Sequence, residues 1–160
     1  MKRVVALLII LHIIVYSAEM EQDSYKGYWF MPNNKVIIEI QEKNGEYIGF
    51  VRWLKDRVYP LGDRMEGKEQ IDRNNPDVRL RDRKVMNLQV VGGLYKDEKN
   101  DLTGGWIYDS WNGKLYYGSA KLIDSNIVKL RGSLDKWGIL GYSMEIKRVE
   151  NKERKNMNLF

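Results

Sequence analysis

The chain contains no cysteine and a single histidine, His12. His12 lies in an apolar stretch, residues 4–15, behind Met1-Lys2-Arg3 and ahead of Tyr16-Ser17-Ala18 and the polar residues 19–23. Basic start, apolar run, small residues, polar mature chain: this is the order of a secretory signal. The run is short for a bilayer span, which takes about 20 apolar residues. Cleavage after Ala18 or Ser17 leaves a mature protein with neither His nor Cys. That excludes the Ser-His-Asp hydrolase, the Cys nucleophile, the His-ligated metal, the lipoprotein anchor and the disulfide framework together. The expected compartment is periplasmic or extracellular. A domain there without disulfides draws its stability from its core alone.

A one-signed charged surface is also missing. The formal charge is +5, but the excess sits at the ends. Lys2 and Arg3 belong to the signal, and Lys147, Arg148, Lys152, Arg154 and Lys155 outweigh Glu150 and Glu153 near the C-terminus. The body, residues 19–146, is neutral. Nucleic-acid binding needs a basic stripe on the folded surface, so it is not expected. The last residues read as a solvated basic tail.

No window carries a sustained helical stripe. What is present is alternation. Residues 35–42 place Val36, Ile38 and Ile40 on one face, and Asn44-Gly45 follows, a two-residue hairpin signal. Residues 46–54 return, with Gly49 marking a bend or a close backbone approach. Further strands are predicted over residues 27–31, 85–92, 103–109, 114–122, 127–132 and 139–149, with turns at Asn112-Gly113 and Asp124-Ser125-Asn126. About eight short strands with tight turns predict an all-β, antiparallel up-and-down barrel, closed so that no edge remains. Such a barrel is either filled by side chains or holds one small ligand. The expected organisation is a signal over residues 1–18, a barrel domain over 19–149 and a basic tail over 150–160.

Residues 55–84 break the rhythm. This connection is far longer than an ordinary hairpin loop and dense in both charge signs. Asp72-Arg73-Asn74-Asn75-Pro76-Asp77 reads as ordered turn chemistry. Asp72, Asn74 and Asp77 resemble a calcium loop only in part, lacking its glycine and closing Glu. Arg79, Arg81 and Arg83 alternate, and on an extended segment they form a cationic row. Around the hairpins stand Tyr108, Asp109, Trp111, Tyr116, Tyr117 and Tyr142, aromatic and acidic groups suited to a pocket mouth or a partner surface. No carboxylate pair is singled out by spacing for glycosidase chemistry. An outer-membrane barrel fits poorly, because Lys121, Lys129, Arg131 and Lys147 interrupt the strands.

Six stretches in order carry a resemblance: Gly27-Tyr28-Trp29, Gly45-Glu46-Tyr47-Ile48-Gly49, residues 75–81, Gly104-Gly105-Trp106-Ile107-Tyr108-Asp109, residues 112–116 and Leu130-Arg131-Gly132. The series resembles a family of small exported bacterial domains of unknown function that includes the CarG-type carbapenem intrinsic-resistance factors. The resemblance implies a lipocalin-like barrel and no established enzyme activity. That family commonly has Pro after the Asp of its G-x-I-Y-D stretch, where this chain has Ser110. The Gly-x-Trp opening also resembles lipocalins, which implies that Trp29 is covered by an Arg of the last strand, by position Arg148. The expectation is a monomeric, non-enzymatic binding barrel without cofactor or metal. Its occupant is an apolar small molecule or a cell-envelope component. The alternative is a filled barrel acting through its surface as a protein-interaction factor, with an envelope protein as partner, or as an antibiotic-resistance or stress-protection factor. The candidate binding residues are Trp53, Asn75, Asp77, Arg79, Arg81, Tyr108, Asp109, Trp111 and Tyr116, with Trp29 and Arg148 structural.

Overall fold

The computed structural model describes residues 25–159, so the predicted signal lies outside the described residues. Eight antiparallel strands follow one another around a closed barrel: β1 (Gly27–Phe30), β2 (Val36–Lys43), β3 (Glu46–Leu54), β4 (Gln89–Lys96), β5 (Leu102–Asp109), β6 (Lys114–Asp124), β7 (Ile127–Ser133) and β8 (Gly141–Arg148). A short helix, α1 (Asn151–Asn156), ends the described chain. Among the described residues, no helix is long and apolar enough to cross a membrane.

The period-two pattern decides which way each strand faces. Val36, Ile38 and Ile40 of β2 point inward with Val51, Val91, Leu102, Ala120, Val128, Leu130 and Ile146. Lys121, Lys129 and Lys147 are exposed on the strands between these inward positions. An apolar interior and a charged wall are the reverse of a transmembrane barrel, whose outer band is apolar. At Asn44-Gly45 both residues adopt positive φ, +55° and +82°, which turns β2 into β3 with the twist the hairpin needs. Gly49 is the predicted close approach: a Cβ there would fall within 3.0 Å of side-chain atoms of Ile40 and Val91.

One strand is displaced from its predicted position. Residues 85–92 were expected, whereas β4 spans Gln89–Lys96. Val85 and Leu88 instead belong to the long connection and are buried in the core from there. Gly92 and Gly93 lie inside the strand, because the Trp106 ring lies over Gly92 where a side chain would otherwise stand.

The two ends of the barrel differ. At the closed end Arg148 stacks over Trp29, its guanidinium carbon 4.2 Å from the ring centre. Trp29 is fully buried and its Nε1 donates to the Tyr25 carbonyl at 2.8 Å. Arg148 donates to the carbonyls of Ser125 and Lys26. Burial holds the guanidinium pKa below its ordinary value. Tyr25 completes the plug, packing edge-on against Tyr47. The other end carries four connections, residues 31–35, 55–88, 110–113 and 134–140, including the two longest of the barrel.

Closure rests on few residues. β1 pairs with β8 only at Trp29↔Arg148 and Phe30↔Lys147. The remainder of β8, towards Gly141, is paired with β7 alone. Beside this seam lies a depression lined by Met31, Pro32, Tyr142 and Met144.

The basic tail is not simply solvated. The Glu150 amide donates to the Glu153 carboxylate at 3.0 Å and starts α1. Beyond it Leu159 is buried with Ile37 and Val149, and Met157, Phe30, Tyr28 and Trp53 pack around them. This second cluster sits on the outer wall, where the outward-facing Ile37 would otherwise meet water.

Candidate functional site

Beneath the open end the barrel is hollow. A cavity of about 500 Å3 reaches down between the strands. Its walls are apolar: Val36, Ile38, Val51, Val91, Ile107, Leu130 and Met144 among them. Asn33, Tyr108, Asp109, Trp111, Tyr116 and Tyr142 add polar atoms to the lining. Four predicted residues, Tyr108, Asp109, Trp111 and Tyr116, therefore line one space.

Most of the polar atoms near this mouth are already engaged. The Tyr108 hydroxyl donates to Asp72 Oδ1 at 2.6 Å and accepts from Asn75 Nδ2 at 2.9 Å. Burial, then the Asp72 carboxylate, pushes the Tyr108 pKa above the usual phenol range. It is a neutral donor at any ordinary pH. The Asp109 carboxylate accepts from the backbone amides of Trp111 and Asn112 and from Asn112 Nδ2. Tyr116 and Tyr142 differ: their hydroxyls have no hydrogen-bond partner among the described residues. Gly132 makes room for the Tyr116 ring, which would lie 3.3 Å from a Cβ there.

The long connection builds one side of the mouth around Asp72. This carboxylate is wholly buried. Besides the Tyr108 hydroxyl it accepts from Asn75 Nδ2 at 2.8 Å and from Arg83 Nη2 at 2.7 Å. A buried charge with three donors, one of them a guanidinium, is satisfied rather than orphaned. Asn75 receives a further bond at its carbonyl from Arg81 Nε, and its Oδ1 accepts the Asp77 amide. Asn74 Nδ2 reaches the Trp111 carbonyl at 2.5 Å. Gly113, at φ +64°, lies against the Asn74 carbonyl, where any side chain would collide. The Asn112-Gly113 turn is thus a docking point as well as a hairpin.

The first half of the connection is ordered too. Arg73 forms two bonds with Asp63, at 2.7 and 2.8 Å, and stacks over Tyr59. That pairing, with the Met65 amide, lowers the Asp63 pKa to about 2.

Three sequence expectations are corrected by this geometry. Trp53 packs on the outer wall beside Ile37 and Leu159, not in the cavity, because β3 turns its side chain outward. Arg79, Arg81 and Arg83 do not form a row: residues Val78–Leu80 make a 3-10 turn in place of an extended segment, and each cation is taken up by a partner within the loop. Arg79 pairs with Asp77, Arg81 caps Asn75 and Arg83 pairs with Asp72. Asn75, Asp77, Arg79 and Arg81 hold the loop and do not line the cavity. Asp72 joins the loop to the mouth and was not among the candidates. Its only sequence signal is the Asx density of residues 72–77, which gives no sign of burial. Among the described residues no group of three His, Cys, Asp or Glu side chains is placed to hold a metal ion.

A family model described as an uncharacterized protein conserved in bacteria, DUF2147, matches residues 27–148. The chain belongs to this family. The match covers the whole barrel from β1 to β8, so the DUF2147 domain and the closed barrel are the same unit. Among solved structures, the chain is similar to protein HP1028 from the human pathogen Helicobacter pylori, described as belonging to the lipocalin family. The two share 26% identity over 84% of this chain and 89% of that one, with a TM-score of 0.70. The DUF2147 barrel is therefore lipocalin-like in fold. Comparison with curated proteins gives no match.

Proposed function

We propose that this DUF2147 barrel is a non-enzymatic carrier of one apolar small molecule, acting in the periplasm or outside the cell. The observation that carries the reading is the cavity: about 500 Å3, apolar below and open at one end. That volume lies in the range of small-ligand sites, about 300–1,000 Å3. With Tyr108 and Asp109 committed to Asp72 and to the turn, little polar recognition is left inside. Selection is then by shape and apolar area, worth about 25 cal/mol per Å2 removed from water. The Tyr116 and Tyr142 hydroxyls favour a ligand with an apolar body and one polar end held at the mouth. The lipocalin description of the Helicobacter pylori protein agrees with a binding role. The export pattern of residues 1–18 supports the compartment.

The test is native mass spectrometry of the mature protein from the exported fraction, set against its denatured mass. A reproducible noncovalent excess is expected and gives the ligand mass. A bare monomer that also fails to bind an environment-sensitive probe such as N-phenyl-1-naphthylamine overturns the carrier reading. It would favour action through the surface.

A further inference from the structure

Three neighbouring strands bring two unengaged hydroxyls to the mouth of the cavity. Tyr142 of β8 pairs directly with Gly132 of β7. The Tyr116 ring of β6 leans over the same glycine, with its Cβ and Cγ 3.3 Å from where a Gly132 side chain would begin. The missing side chain at Gly132 thus gives the Tyr116 ring its place beside Tyr142. Both tyrosines line the cavity, and neither hydroxyl has a hydrogen-bond partner among the described residues. Each can both donate and accept. Tyr108, the third tyrosine of the lining, is already taken up by Asp72 and Asn75. The polar group of an occupant therefore meets Tyr116 and Tyr142.

The charges around these hydroxyls cancel. No lysine or arginine lines the cavity, and the one carboxylate in its lining is Asp109. Asp109 is held by its own turn, and Lys114 stands directly opposite it in register. The buried Asp72 behind Tyr108 is matched by Arg83. Arg81 is held by the Asn75 carbonyl and Lys35 by Asp56. Asp135 and Lys136 of the neighbouring loop offset each other. An ionised group leaving water for this site loses hydration and finds no free counter-charge. A carboxylate gains from Lys114 what it loses to Asp109, and an ammonium the reverse. An uncharged polar group gives up far less hydration and exchanges it for the tyrosine hydroxyls.

We propose that the cavity selects amphiphiles with an uncharged head, such as an alcohol, an ester or an amide, over fatty carboxylates and alkylammonium ions, and that Tyr116 and Tyr142 hold that head. The assignment rests on the carrier reading above and narrows it to one class of ligand.

The experiment loads the mature protein with N-phenyl-1-naphthylamine at neutral pH and titrates decanol, decanoate and decylammonium, which share one chain length, as competitors. Decanol is expected to displace the probe at a concentration about tenfold or more below either ion. An alcohol also leaves water more readily than an ion does, so the deciding comparison is between variants. Tyr116→Phe/Tyr142→Phe is expected to keep the melting temperature and the probe affinity, to weaken decanol by about tenfold and to leave decanoate unchanged. Tyr142→Phe alone alters a side chain that is 71% exposed and should show part of the same loss. Trp111→Lys, at an exposed position of the lining, supplies the absent cation and should strengthen decanoate by about fivefold. Decanoate or decylammonium competing as well as decanol in the wild type overturns the assignment and leaves the carrier standing. So does a phenylalanine pair that weakens decanol no more than it weakens the probe, or decanoate binding that the lysine does not move. A wild type that binds neither the probe nor decanol, and whose melting temperature decanol does not raise, sinks the carrier reading and the head-group assignment together.

Discussion

The Tyr108–Asp72 hydrogen bond is the point at which the loop and the cavity wall depend on each other. Tyr108→Phe removes one donor from a buried carboxylate and is expected to cost about 1–3 kcal/mol, read as a lower denaturant midpoint. Because the folded Tyr108 pKa is raised, its contribution is full below the ordinary tyrosine value of about 10 and is lost as pH rises beyond it. Wild type should therefore lose more stability above pH 10 than Tyr108→Phe does. Ser110 is the opposite case. It is buried, and its hydroxyl finds no partner among the described residues. Ser110→Ala is expected to leave the melting temperature unchanged or higher, since the hydroxyl is desolvated for no bond. Trp29→Ala should lower stability by about 3–5 kcal/mol in chemical denaturation, because it empties the closed end and strips Arg148 of its stacking partner.

At the scale of elements, the hairpins could be read from sequence because their determinants are local. Asn44-Gly45 specifies its turn within two residues, and alternation in β2 and β3 specifies which face is buried. The start of β4 was not legible: Val85 and Leu88 are apolar enough for a strand, and only the distant Trp106 ring shows why Gly92 and Gly93 belong inside one. The arginine row failed for a related reason, since Asp77 caps a 3-10 turn where an extended segment was assumed. The burial of Asp72 depends on Tyr108 and Arg83 arriving from elsewhere in the fold, so no window around it carries the information. The long connection yields its own prediction. The Asp63 pKa is lowered in the fold to about 2, so its stabilising effect is complete above the unfolded carboxylate value of about 4. That effect disappears as pH falls towards 2. Proteolysis within residues 55–88 should accelerate over that interval, and Asp63→Asn should show the faster cleavage already at neutral pH. For the C-terminal element, Leu159→Ala should destabilise by about 2 kcal/mol in thermal melting, because Leu159 covers Ile37 on the outer wall.

For the molecule as a whole, the barrel and its hollow form a single cooperative unit, so an occupant stabilises the entire fold. A ligand at 100 times its Kd should add about 2.7 kcal/mol, visible as a higher melting temperature that rises with ligand concentration. The architecture was legible from strand count, spacing and the absence of a helical stripe. The hollow was not, because whether eight strands enclose space or side chains depends on how Tyr116, Gly132 and Met144 share the interior. The junction of β1 with β8 has a consequence in time rather than in space. The first strand pairs with the second on one side and with the last on the other, so the ring cannot shut until the whole barrel sequence has arrived, and loops this long close slowly. A chain cut short before Arg148 lacks the guanidinium that covers Trp29 and the pairing that joins β8 to β1, which leaves the core of incomplete copies open to water.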